Sequence, residues 1–158
     1  MIATSKISAS ALTEKQVQDA RILYERMKKV DYSSIIETAM RECGVKKAYR
    51  ANELLDSFLQ WFSLIPTTTP DQPMQMLRSV DRMWHAFVLN TAFYRNFCNE
   101  FNSGQFVDHD PLDVNGNSAS QKQQYAEHTL ARLHQTFGTY VTKDLANLSE
   151  KTTCCVGC

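Results

Sequence analysis

Ala48, Ala51, Leu55, Phe58, Phe62 and Ile65 recur at steps of three and four, and no other pattern in the chain constrains its fold as strongly. That spacing sets six apolar side chains on one face of an α-helix, and such a face persists in water only when another element covers it. Leu54, Leu59 and Trp61 widen the face, so this helix is expected at the centre of the fold. The run Pro66-Thr-Thr-Thr-Pro70-Asp-Gln-Pro73 then ends it. Proline offers no N–H and disfavours helix in the residue before it.

The same period recurs on either side. Thr13-Glu14 opens a helix with Val17, Ala20, Tyr24 and Met27 on one face, and Asp31 to Ser34 supply N-caps for a second that stops at Gly44. Beyond the prolines, Met76, Leu77, Val80, Met83, Trp84, Phe87 and Val88 trace another helical stripe. Thr91 opens a helix through Phe101, unless the two are one kinked helix. Residues 105–108 read as extended and 110–120 as a loop. A last long helix covers 120–137, with Ala126, Leu130, Leu133 and Phe137 inward and Gly138 as its stop, and 140–148 reads as a short helix or a strand, the helix preferred. No internal repeat is visible. The expectation is a mainly all-α fold, an irregular antiparallel bundle of five or six helices with a long loop near 102–119. Its organisation is a flexible arm at 1–12, a single helical domain at 13–149 and a flexible cysteine-containing tail at 150–158.

Charge narrows the function classes. Lys+Arg and Asp+Glu are 17 each, so no global field draws the chain to nucleic acid or to an anionic membrane. The basic cluster Arg41, Lys46, Lys47 and Arg50 reads as a solvated helix face. No apolar run approaches the roughly 18 residues that cross a bilayer, and the polar start lacks a secretory signal core. The default expectation is a cytoplasmic protein. Five cysteines, an odd number with three crowded at the end, do not make a disulfide framework.

The residues fit for chemistry cluster between Val80 and Pro111. Asp81 and His85 are four apart on one helix, so their side chains point the same way from the edge of the apolar stripe. Tyr94 and Cys98 repeat the spacing, and His109 sits between Asp108 and Asp110 ahead of Pro111. Carboxylate, imidazole and thiolate are the ligands of zinc and other divalent transition metals, and a site needs three or four of them. Asp81, His85 and His109, with Asp108 or Cys98 as a fourth, meet that requirement. The alternative on the same residues is structural: Asp81 pairs with His85 at the core edge, and Cys98 is a small buried hydrophobe. Trp84, Tyr94 and Pro111 are assigned structural roles. His128 and His134 belong to no motif.

Val80-Asp81-Arg-Met-Trp84-His85-Ala-Phe87, Thr91, Tyr94, Phe97-Cys98 and Gly104-Gln-Phe106-Val-Asp108-His109-Asp-Pro111 together resemble the core motif of the glycine-rich domain-containing protein-like family, in its short stand-alone form. The resemblance covers about 32 residues well and the rest only in helical character. It implies a polar cluster at Asp81, His85, Cys98 and His109, and it implies no known reaction. Asp108 departs from the pattern, which often has a first histidine there.

The tail offers a second candidate. Cys154, Cys155 and Cys158 read as a soft-metal or redox Cys-x-x-Cys unit, as a poor C-terminal lipidation box on Cys155 with Cys154 beside it, or as exposed thiols. Three functions remain open. The first is a small domain binding a metal such as zinc, or a small ligand, at the Trp-His motif. If it is an enzyme, a metal-activated water or His85 as acid–base is the expected agent. The second is a non-enzymatic protein-interaction module in which the motif is architecture. The third is an adaptor attached peripherally to a membrane through the tail.

Overall fold

Residues 48–65 do form the centre. In the computed structural model, which describes residues 11–111 and 116–157, the stripe becomes α3 (Ala48–Ser63), with Ala51, Leu54, Phe58, Leu59, Trp61 and Phe62 buried. Around it pack α1 (Glu14–Met27), α2 (Ser33–Glu42) and α4 (Arg78–Leu89). A separate α5 (Thr91–Phe101) follows α4, and α6 (Ala119–Phe137) lies against α1. A single turn, α7 (Lys143–Ala146), completes the helices. Local chemistry explains the starts. Thr13 with Gln16 and Ser118 with Gln121 each form a reciprocal capping box, which satisfies N–H groups that have no partner inside the helix.

The protein is mainly helical, at 64%, but an all-helical bundle is corrected by a three-stranded antiparallel sheet. Its order is β1 (Met74–Leu77), β3 (Thr153–Gly157), β2 (Asp110–Pro111). Met76 and Leu77, read from the sequence as helix, lie in β1. All four residues of β1 are buried, so the strand lacks the alternation that marks a half-exposed one. The flexible tail expected at 150–158 is likewise corrected over 153–157. This stretch is the central strand, pairing Met74 with Gly157 and Met76 with Cys155 on one side and Asp110 with Val156 on the other. Cys158 lies outside the described residues. The arm expected at 1–12 falls there too over 1–10, while Leu12 is buried and exchanges two backbone hydrogen bonds with the Gln135 side chain, at 2.9 and 2.7 Å.

Two tryptophans explain why β3 ends in glycine. Trp61 on α3 donates its indole N–H to the Gln75 carbonyl at 3.0 Å, and its ring lies 4.8 Å from that of Trp84 on α4. The backbone of Gly157 runs over both rings. A Cβ there would sit 2.7 Å from the Trp61 ring and 2.8 Å from the Trp84 ring, well inside contact distance. Thr153 ties the other end of the strand by donating its hydroxyl to the Met76 carbonyl at 2.6 Å.

The two arginines of the basic cluster form ion pairs. Arg41 meets Glu37 and Glu42, and Arg50 clasps both carboxylate oxygens of Asp144 at 2.8 and 2.6 Å. Among the described residues no helix is long and apolar enough to cross a membrane.

Gly157→Ala is expected to lower stability by about 1–3 kcal/mol, the usual cost of overpacking. Urea unfolding reads this as a lower midpoint, and an unchanged midpoint would refute the close packing of β3 on the tryptophans.

Candidate functional site

Asp81 stands in the first turn of α4, where the partial positive charge of the helix start favours a carboxylate. The turn is held in place by β3's approach: the Arg78 N–H, left without a helical partner, donates to the Thr152 carbonyl at 2.9 Å. Asp81 is nevertheless only 9% exposed. A carboxylate withdrawn so far from water must be compensated by hydrogen bonds or charge.

Three groups supply the compensation. His85, one turn along α4, brings Nε2 to 3.0 Å from Asp81 Oδ2. His109 brings Nε2 to 2.6 Å from Oδ1, and the thiol of Cys155 donates to the same oxygen at 3.3 Å. The imidazole side chains differ in access, 51% exposed for His85 and 22% for His109. The site is therefore buried at its carboxylate and open at one histidine.

A relay of buried hydrogen bonds positions His109. The Trp84 indole N–H donates to the Tyr94 hydroxyl at 3.0 Å, and that hydroxyl donates to the Val107 carbonyl at 2.8 Å. Val107 is fully buried, so the segment leading to His109 is fixed two residues ahead of it. The His109 ring then lies 4.4 Å from that of Trp84 and 4.9 Å from that of His85. On its far side, Asp110 and Pro111 enter the sheet as β2.

The electrostatics follow from this packing. Burial pushes the Asp81 carboxyl up, but the His109 hydrogen bond and the neighbouring imidazoles outweigh it, leaving the group below its ordinary value of 3.8. The same hydrogen bond raises His109 above 6.5, against the opposing effect of burial. Cys155 is pushed strongly upward by its contact with Cys154, by burial and by the Asp81 charge, so it is a neutral thiol and not a ready nucleophile.

The expected ligands thus part company. Asp81, His85 and His109 converge, with one donor atom from each inside a span of 4.8 Å. Asp81, Cys154 and Cys155 make a second such group, which the sequence did not suggest. Cys98 and Asp108 join neither. Cys98 is buried beside Tyr94 and Val107, where burial raises its thiol, and Asp108 is exposed. Trp84 and Tyr94 hold the segment as architecture, and Pro111 anchors it opposite Cys155. Lipid attachment at Cys155 conflicts with its burial, 1% exposed inside the sheet, because the strand would first have to leave. A cleft of about 560 Å³ between α1, α3 and α6, lined by Tyr24, Asp56 and Gln60, lies away from this chemistry. Volume alone names no reaction, whereas the convergent donors have a defined chemistry.

Comparison of the chain with protein-family models, with curated proteins and with solved structures finds no match.

Two outcomes are expected here. Tyr94→Phe leaves the Trp84 N–H and the Val107 carbonyl buried without a partner, and is expected to cost about 1–3 kcal/mol. Equal stability of the variant in urea would mean the relay carries no energy. In chelator-treated protein, the Asp81–His109 pair also makes stability depend on pH. Asp81, lowered on folding, contributes above its ordinary 3.8 and loses the contribution as pH falls through its folded value. His109, raised on folding, contributes fully below 6.5 and loses it as pH rises through its folded value. The stability gap between the parent and His109→Ala should therefore be widest between 3.8 and 6.5 and shrink on both sides. A gap that stays flat from about pH 3 to about pH 9 contradicts the pairing.

Proposed function

We propose that this protein is a small binding domain for a divalent transition-metal ion of the zinc class, held by Asp81, His85 and His109. The observation that carries the reading is the convergence of two imidazole nitrogens on one buried carboxylate beside an open surface. Nitrogen and oxygen donors about 2.0–2.2 Å from zinc, at tetrahedral angles, lie about 3.3–3.6 Å from one another. The observed 3.0 and 2.6 Å are shorter, and each needs to open by about 1 Å or less to admit the ion. An imidazole nitrogen must be free of its proton to bind a metal, so affinity falls in acid. Three protein donors leave a fourth position, on the side of half-exposed His85, for an exchangeable ligand. The resemblance read in the sequence over 80–111, which no family model matches, implies a polar cluster that includes Asp81, His85 and His109.

A second reading is favoured by a specific observation. Asp81 is already satisfied by His85, His109 and Cys155. In this reading the cluster is a latch holding the segment before β2, and the domain acts through a protein partner.

Elemental analysis of protein purified without a histidine tag separates the two. In protein carrying Cys154→Ser, the metal reading expects close to one equivalent of zinc-class metal, lost when His85→Ala and His109→Ala are added with the fold kept. Metal-free Cys154→Ser protein, with the histidine variant merely less stable, gives the site to the latch.

A further inference from the structure

Successive side chains of a β-strand point to opposite faces, yet the sulfurs of Cys154 and Cys155 in β3 lie 3.1 Å apart. The ladder explains it. Cys155 pairs with Met76 and Thr153 pairs with Leu77, so Cys154 is the extra residue of a β-bulge opposite two adjacent residues of β1. A bulged residue is released from the pairing pattern and its side chain is re-aimed. Here the bulge turns Cys154 toward the side that Cys155 occupies. Cys155 Sγ is 3.3 Å from Asp81 Oδ1, and the three donor atoms of Asp81, Cys154 and Cys155 all lie within 4.8 Å of one another. Among the described residues no donor group of that span mixes these thiols with the histidines. The two sets therefore approach one carboxylate from different sides.

We propose that Asp81, Cys154 and Cys155 form a second site, for a soft, thiophilic cation, for which cadmium(II) is the probe. Two sulfurs and one oxygen select borderline and soft ions, while magnesium and calcium prefer an all-oxygen shell. Sulfurs about 2.3 Å from a tetrahedral zinc-sized ion lie about 3.8 Å apart, so the observed pair needs only to spread slightly. Cys154 is only half-buried. On binding, each thiol releases a proton to solvent and forms one sulfur–metal bond, and the oxidation state of the ion does not change. The site shares Asp81 with the histidine set but does not depend on a metal being held there.

The test is cadmium titration of the full chain carrying Cys43→Ser and Cys158→Ser, read by thiolate-to-cadmium charge-transfer absorption and by the sulfur count at the cadmium absorption edge. The expected result is saturation near one equivalent with two sulfur neighbours. The signal persists when His85→Ala and His109→Ala are added, and affinity falls about tenfold or more with Cys154→Ser. A sulfur count of zero or one in this protein overturns the proposal without requiring any further variant to fold. So does a signal indifferent to Cys154→Ser. Loss of the signal in the histidine variant, with its fold retained by circular dichroism, overturns the separateness of the two sites and assigns thiols and imidazoles to one centre.

Discussion

The carboxylate of Asp81 is the point on which the rest of this structure turns. Removing a charged carboxylate from water costs several kcal/mol unless partners replace the lost hydration. Its partners come from three segments: His85 from the same helix, His109 from 28 residues downstream and Cys155 from 74 residues downstream. Satisfying one side chain therefore ties together a helix, an irregular segment and a strand that share no local sequence.

The sheet is small, but it makes that arrangement possible. β2 has only two residues, and a pair so short is held by its neighbour and not by its own ladder. The neighbour is β3, which is itself fixed between β1 and the two tryptophans by the absence of a side chain at Gly157. A second tie, from Trp84 through Tyr94 to Val107, reaches the same segment from the helices. His109 is thus placed from both directions. Its distance to Asp81 is a property of the whole domain and not of a flexible loop.

How much of this was legible in the sequence depends on the range of the interactions involved. Ala48 to Ile65 could be read as a central helix because the 3.6-residue period is local, and Asp81 with His85 could be paired because four residues make one turn. His109 entered on composition and on a resemblance, since no local rule brings it to Asp81. Met76 and Leu77 were misread because a short apolar run buried on all sides looks the same in a strand and in a helix edge. β3 was invisible for a further reason. Thr153-Cys-Cys-Val156 has strand-forming character, but its partner Met76 is 77 residues from Thr153, and the polar ending around it resembles a tail. The nearness of Cys154 to Cys155 was least legible of all, because the regular strand rule places them on opposite faces and only a bulge reverses it.

The cluster is a poor way to stabilise a fold. Well-packed apolar side chains of similar volume would join α4 to the segment before β2 without the desolvation of a carboxylate and its imidazole partners. The chain instead spends a helix-start position, two histidines and a buried thiol on a polar contact at the edge of an otherwise aromatic core of Phe58, Trp61, Trp84 and Phe87. Departures of this kind from the local stability optimum mark the places where a protein does something besides fold. The two donor sets also contest one atom, since His109 and Cys155 both meet Asp81 Oδ1. If both proposed sites hold a cation, each leaves less negative charge on that oxygen for the other and weakens the other's hold. By thermodynamic reciprocity the penalty is equal in both directions. Through that shared oxygen, occupancy of the proposed histidine site would be felt at the proposed thiol site.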